Sequence, residues 1–114
     1  INAEVFLKML KRITIFVRNN NETKYGATFY LEKKEMQVHG VNEVAKINEV
    51  LEVNYEGENI KIALNTKFLS DFVQTLNKNK DITLEFIASN SSVKIKEEEA
   101  NDYLYVLMPL ALKD

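Results

Sequence analysis

Ile60-Lys61-Ile62-Ala63-Leu64-Asn65-Thr66-Lys67-Phe68-Leu69-Ser70-Asp71-Phe72-Val73-Gln74-Thr75-Leu76 changes its hydrophobic period midway. Ile60, Ile62 and Leu64 alternate with Lys61 and Ala63, the two-residue period of a strand with one buried face. Beyond them Phe68, Leu69, Phe72, Val73 and Leu76 fall on one stripe of a helix, which the spacing predicts to run to about Leu76 with Asn65 or Thr66 as its N-cap. The polar run Asn77-Lys78-Asn79-Lys80-Asp81 has no apolar residue to continue the stripe, so the helix stops there.

The same order of elements appears on either side of this switch. Upstream, Val5, Phe6, Met9, Leu10 and Ile13 recur at spacings of three and four. They predict a first helix from Asn2, a plausible N-cap, to about Phe16. Its opposite face carries Glu4, Lys8, Lys11 and Arg12. Arg18 to Lys24 is a loop by composition, and strand character follows at Ala27 to Leu31, Met36 to His39 and Val50 to Tyr55. In the last of these, Leu51, Val53 and Tyr55 share a face, and Glu56-Gly57-Glu58-Asn59 is a turn. Downstream of the second helix, strands are expected at Ile82 to Ala88, Val93 to Lys96 and Tyr103 to Met108. Helix and then three strands thus occur twice, in units of about fifty residues joined by a linking strand. The architecture this implies is an α+β sandwich: both helices on one side, two small antiparallel sheets packed together behind them.

Composition fits one soluble globular domain. The chain has 114 residues, of which 46% are hydrophobic and 28% charged, enough to bury a core and too apolar for disorder. Fifteen Lys and Arg against 17 Asp and Glu give a net charge of −2, so any contact with nucleic acid has to come from a local patch. There are no cysteines, which removes disulfides and thiolate metal sites and fits a reducing compartment. No run approaches the roughly 18 apolar residues of a membrane span, and the opening residues do not form a signal-peptide pattern. A start at Ile1 rather than Met reads as a piece excised from a longer protein.

The residues offer little catalytic chemistry. His39 stands alone, without Cys, Asp or Glu at ligand spacing, and reads as a structural or surface residue. Glu97-Glu98-Glu99 with Asp102 lacks the glycine and alternating oxygen ligands of a calcium loop and reads as a solvated turn; a metal-dependent hydrolase built on it would need stoichiometric metal. Gly26, Gly40 and Gly57 are isolated, so there is no phosphate cradle, and no nucleophile elbow or zinc-helix motif is present. Asn21-Glu22-Thr23 and Asn90-Ser91-Ser92 match the glycosylation triplet without any context of secretion. No catalytic residue, cofactor or metal is therefore assigned.

Two features point to interaction instead. Lys8, Lys11 and Arg12 sit at i, i+3 and i+4 on one helical face, a surface that could meet phosphates, unless Glu4 simply pairs with Lys8 on a solvated face. The second feature is the closing run Tyr103 to Leu112, YLYVLMPLAL, which contains the one proline of the chain, Pro109. Proline ends a strand or keeps to an edge, and from Val106 to Leu112 no residue is polar, so apolar atoms are expected on the outward face as well. Methionine beside proline makes an adaptable surface.

Three ordered segments carry a family resemblance: Asn65-Thr66-Lys67-Phe68-Leu69-Ser70-Asp71-Phe72-Val73, preceded by the turn Val53-Asn54-Tyr55-Glu56-Gly57; then Ser91-Ser92-Val93-Lys94-Ile95; and the closing Tyr105-Val106-Leu107-Met108-Pro109-Leu110-Ala111-Leu112. Together they resemble the C-terminal, third domain of the bacterial DNA polymerase III beta subunit family, the sliding clamps, over nearly the whole chain. The resemblance implies a DNA-clamp, or processivity, fold with internal pseudo-duplication. It also implies a single domain over residues 1–114, with its first strand missing and its upstream domains absent.

What the family implies about function is a non-catalytic component of the DNA polymerase III holoenzyme: a ring around double-stranded DNA, gripped without regard to sequence. The ring is a head-to-tail homodimer of three-domain subunits in the bacterial cytoplasm, associated with the nucleoid, while an isolated domain would be a monomer. Polymerase subunits, the clamp loader and repair proteins dock through short peptides. By position, the peptide pocket would use Asn65, Phe68, Asn90, Ser92, Val106, Leu107, Met108, Pro109, Leu110 and Ala111. The subunit interface would use Ile15 and Phe16, and Lys8, Lys11 and Arg12 would face DNA. Phe68 stands where the family commonly has tyrosine, and Ala111 where arginine is usual, which would shift peptide preference. The alternative is a stand-alone protein-interaction domain with a hydrophobic peptide groove and no DNA role; the clamp reading expects roughly two more domains upstream.

Overall fold

The computed structural model describes residues 1–18, 25–76, 80–97 and 105–110. In chain order the elements are α1 (Ala3–Val17), β1 (Gly26–Glu32), β2 (Glu35–Val41), β3 (Lys46–Glu52), β4 (Ile60–Asn65), α2 (Thr66–Val73), β5 (Ile82–Glu85), β6 (Val93–Glu97) and β7 (Tyr105–Leu107). The first sheet has the order β3-β2-β1-β4 and the second β5-β6-β7, with every neighbouring pair antiparallel. The linking strand β4 joins the first sheet, pairing Leu64 with Ala27 and Ile62 with Phe29, so that sheet has four strands rather than three.

Both helices begin where the sequence places them. Asn2 Oδ1 accepts from the backbone N–H of Glu4 and Val5 at 3.0 and 3.2 Å, and Asn65 Oδ1 accepts from Phe68 N–H at 2.9 Å; each bond satisfies donors that a helix start leaves unpaired. In α1 the buried residues are Ala3, Phe6, Leu7, Met9, Leu10, Ile13 and Val17, while Val5, expected on the stripe, is exposed. In α2 they are Thr66, Leu69, Ser70 and Val73, the i, i+3, i+4, i+7 set of a two-turn helix. This moves the inward line one residue away from Phe68, which is 53% exposed. The helix ends at Val73 rather than Leu76: the N–H groups of Thr75 and Leu76 bond three residues back, to Phe72 and Val73, a tightened last turn.

One core joins the two halves. Phe6, Met9, Leu10 and Ile13 of α1, Leu69 and Val73 of α2, Phe29, Val38, Ile62 and Leu64 of the first sheet, and Ile82, Val93, Ile95 and Leu107 of the second belong to a single buried cluster. Each such side chain contributes about 1.5–3 kcal/mol when fully buried. Gly40 marks a close approach of helix to sheet: a Cβ there would lie 2.5 Å from Val17 Cγ1 of α1 and 3.0 Å from Ile47 Cγ2 of β3.

Two strands differ from the sequence expectation. The expected strand Val50 to Tyr55 is instead β3, Lys46–Glu52. It is an edge strand that pairs only with β2 and buries no residue fully, so Lys46, Asn48 and Glu49 dilute its hydrophobic signal. Val53 and Tyr55 lie past its end. There Lys34, at φ 62° in the β1–β2 turn, donates to Tyr55 O and accepts from Val53 N–H, which keeps the segment extended. Likewise β5 stops at Glu85 rather than reaching Ala88.

The ends of the chain cross between the sheets. Ile1 and Ile82 exchange two backbone hydrogen bonds, from Ile82 N–H to Ile1 O at 2.7 Å and from the Ile1 amine to Ile82 O at 3.0 Å, and Ala3 N–H donates to Lys80 O. The start of the chain thus lies on the edge of β5, beside the bridge between Asn2 and Asp81. At the other end β7 stops at Leu107, and after Pro109 Leu110 N–H donates to Ala63 O at 2.8 Å on the free edge of β4. Proline ends the strand as expected, and the three residues from Met108 to Leu110 link the two sheets.

Candidate functional site

The last described segment is an exposed apolar strip. Val106 is 54% and Met108 67% exposed, while Leu107 between them points into the core; Pro109 and Leu110 are half-buried. Alternation puts Leu107 opposite Val93 in the β6–β7 ladder. Continuing that register sets Ser92 across from Met108, with exposed Asn90 in the turn just before. The bond from Leu110 to Ala63 holds the strip against β4, whose last residue, Asn65, caps α2 and presents Phe68 one turn into the helix. Asn65, Phe68, Ser92, Met108 and Leu110 therefore belong to neighbouring pieces of backbone, although they are far apart in sequence. Beneath this face Phe72 stacks on Tyr105 with ring centroids 4.4 Å apart and planes 10° from parallel. Exposed Phe68 is the residue whose helical-stripe reading is corrected: the ring lies off the core side of α2. Ala111 lies outside the described residues, as do Glu98, Glu99 and Asp102 of the acidic run, residues 19–24 and Leu112.

The basic face of α1 is more compensated than its sequence implies. Lys8 lies 3.5 Å from Glu4, the i, i+4 pairing that a solvated face would show, with both side chains well exposed. Arg12 reaches across to β3: Nε and Nη2 donate to the two carboxylate oxygens of Glu49 at 3.1 and 3.0 Å, a forked pair. The hydrogen bond to Glu49 raises the Arg12 pKa above its ordinary value, with burial opposing the rise and the Glu49 charge adding to it. Lys67 of α2 is likewise raised by its hydrogen bond to Asp71, 2.9 Å away. Lys11 has no carboxylate partner among the described residues. Glu49 is a residue that sequence reasoning missed; 37 positions separate it from Arg12, and no local pattern joins the two.

At the C-terminal end of α1, Ile15 is 69% exposed and Phe16 packs partly against the core. Asn42 ties this end to the β2–β3 turn: its Nδ2 donates to Phe16 O at 3.2 Å, and its Oδ1 accepts from Val44 and Ala45 N–H at 3.0 and 2.9 Å. Val44, at the tip of that turn, is 90% exposed. Asn42 was also missed, although an asparagine just before a turn, able to bond the backbone two residues on, is a recognisable signal.

His39 Nε2 is 3.3 Å from Gln37 Oε1 and the ring lies against Tyr30, at a centroid distance of 4.7 Å, on the outer face of the first sheet. Among the described residues no group of three His, Cys, Asp or Glu could hold a metal ion, and no helix is long and apolar enough to cross a membrane.

Residues 1–111 match the family model for the DNA polymerase III beta subunit, C-terminal domain. The beta sliding clamp of Escherichia coli strain K12 is 28% identical over 94 residues, 82% of this chain and 25% of that protein. The beta sliding clamp of Pseudomonas putida is 29% identical over the same share of each chain. Among solved structures, the DNA polymerase III beta subunit of Pseudomonas aeruginosa superposes with a TM-score of 0.86 at 25% identity, covering 97% of this chain and 30% of that one. The Thermotoga maritima beta subunit, at 24% identity, has the same fold at a TM-score of 0.86 over 99% of this chain and 30% of its own. The chain thus spans about a quarter of the length of the curated relatives it matches. Two capped helices, a four- and a three-stranded antiparallel sheet around one core, and a match over residues 1–111 together make this chain a member of the family of C-terminal domains of the DNA polymerase III beta subunit.

Proposed function

We propose that this chain is one domain, residues 1–114, of a non-catalytic DNA replication processivity factor of the bacterial cytoplasm: part of a ring that encircles duplex DNA and much of a dock for short peptides of polymerases and other clamp-binding proteins. The observation that carries this reading is the apolar strip of exposed Val106 and Met108 with half-buried Leu110, held to β4 by the Leu110–Ala63 bond beside exposed Phe68. An extended peptide would bury apolar anchors against Met108, Pro109 and Leu110, while Asn65, Asn90 and Ser92 would supply polar orientation. A Pseudomonas aeruginosa sliding clamp, 26% identical with a TM-score of 0.85 over 97% of this chain and 29% of its own, has been solved bound to griselimycin, which supports a ligand site on this fold.

In this reading the C-terminal end of α1, with Ile15, Phe16 and the neighbouring Val44, meets another protomer in a head-to-tail dimer. Burial of the exposed apolar side chains there would contribute on the order of a few kcal/mol. Lys8, Lys11 and Arg12 face the DNA with few contacts, because a ring retains its duplex by topology and must still slide.

The test is titration of a labelled peptide carrying the bacterial clamp-binding consensus into the full-length protein. Saturable binding that Met108→Ala with Pro109→Ala weakens at least tenfold is the expected result. Absence of saturable binding, or binding unaffected by that pair of substitutions, removes the dock.

A further inference from the structure

The pairing on α1 is uneven, and that unevenness has a functional reading. Lys8 and Glu4 are neighbours on one helix, both exposed, at 3.5 Å, a contact that solvent and salt readily exchange. Arg12 is held differently: two of its five N–H donors bond both oxygens of a carboxylate on another element, and the Glu49 side chain is 19% exposed, so water competes less for it. Arg12 lies on the flank of the exposed arc of α1 nearest the first sheet, between the buried Met9 and the half-buried Phe16, and Glu49 draws it toward β3. A duplex attracts net positive charge, and a neutral pair adds little to that attraction.

We propose that Glu49 sets how strongly the α1 face contacts duplex DNA, by holding Arg12 in a neutral pair so that Lys11 is the cation of the cluster without a carboxylate partner among the described residues. The proposal rests on the reading of this face as the side toward DNA, and it makes Glu49 a positioning residue that acts through Arg12. It accounts for an arginine placed among phosphate-facing residues in a ring that has to slide: the charge is present but engaged within the domain.

The experiment measures binding of a short labelled linear duplex to the full-length protein by fluorescence anisotropy over a salt series. Glu49→Gln, nearly isosteric and on an edge strand, is expected to steepen the dependence of log K on log salt by about 0.9 per domain copy, and Glu49→Lys by about twice that. Arg12→Ala is expected to abolish the increment in the Glu49→Gln background and return the slope to that of the wild type, a pattern that loss of a merely structural contact does not produce. Lys11→Ala separates the two levels of the argument by flattening the slope if this face meets DNA. A flattened slope in Lys11→Ala with no steepening in Glu49→Gln overturns the role of Glu49 alone, as does an increment in Glu49→Gln that persists when Arg12 is also replaced by alanine. An unchanged slope in Lys11→Ala overturns the DNA-facing reading and the Glu49 proposal with it.

Discussion

Replacing Gly40 by alanine tests the central packing contact of the domain. Met36, Val38 and Gly40 are the inward positions of β2, and α1 passes over Gly40 with its last two turns. The added methyl carbon would lie 2.5 Å from Val17 Cγ1, 3.0 Å from Ile47 Cγ2 and 3.2 Å from Ile13 Cγ1, where ordinary carbon contacts are about 3.5–4.0 Å. Val17 and Ile13 are fully buried, and both are β-branched side chains with few alternative rotamers. Forcing one extra methyl into such a site costs about 1–3 kcal/mol, of which about 0.4–1 kcal/mol is recovered because alanine restricts the unfolded chain. Gly40 has no positive φ that would add backbone strain. The net expectation is a loss of about 1–2 kcal/mol, read as a fall of about 1 M in the urea midpoint with an unchanged slope. A double-mutant cycle isolates the contact: Val17→Ala removes the opposing methyl, so the doubly substituted protein should be more stable than additivity predicts by about 1 kcal/mol. A Gly40→Ala protein at least as stable as the wild type, or costs that simply add in the cycle, would refute the claim that close helix–sheet approach dictates glycine here.

Two further outcomes follow from local geometry. Asn65→Ala removes the acceptor for Phe68 N–H at the start of α2 and should lower stability by about 1 kcal/mol in urea unfolding, with Asn65→Asp retaining most of it. The Phe72–Tyr105 stack joins α2 to β7; a cycle of Phe72→Leu and Tyr105→Leu should give a coupling energy of about 0.5–1.5 kcal/mol, and a value indistinguishable from zero would mean that the rings merely lie close.

What the sequence made legible was local. The change of period at Asn65, the cap at Asn2, the cap offered at Asn65 or Thr66 and the stripe of α1 all rest on residues within one turn or one strand of each other, and each appears in the fold, with Asn65 as the cap and Val5 off the stripe. The position of β3 was obscured because an edge strand with one neighbour and half-exposed residues needs no strict alternation. Phe68 falls on the expected stripe because aromatic residues bring more burial energy than threonine or serine. In the fold, Thr66 instead turns inward and donates its hydroxyl to Tyr25 O at 3.1 Å, which makes a polar residue acceptable in the core line. The candidate dock was readable as composition, an apolar run broken by proline, but its geometry depends on the bond between Leu110 and Ala63, which no local pattern announces. Arg12 and Glu49 meet for the same reason, through the sheet order rather than the sequence.

The crossing of the chain ends makes the two pseudo-repeats inseparable. Residues 1–3 lie on the edge of the second sheet and Leu110 on the edge of the first, so each repeat lends the other a segment of backbone. Neither half can open its outer strand without disturbing the half it lends to, and the domain is therefore expected to melt as one cooperative unit rather than as two stacked modules. A ligand seated on Met108, Pro109 and Leu110 would grip the link itself. Its binding energy would then protect amide protons on both sheets from exchange, including those of β4, which bears none of the apolar anchors Met108, Pro109 and Leu110.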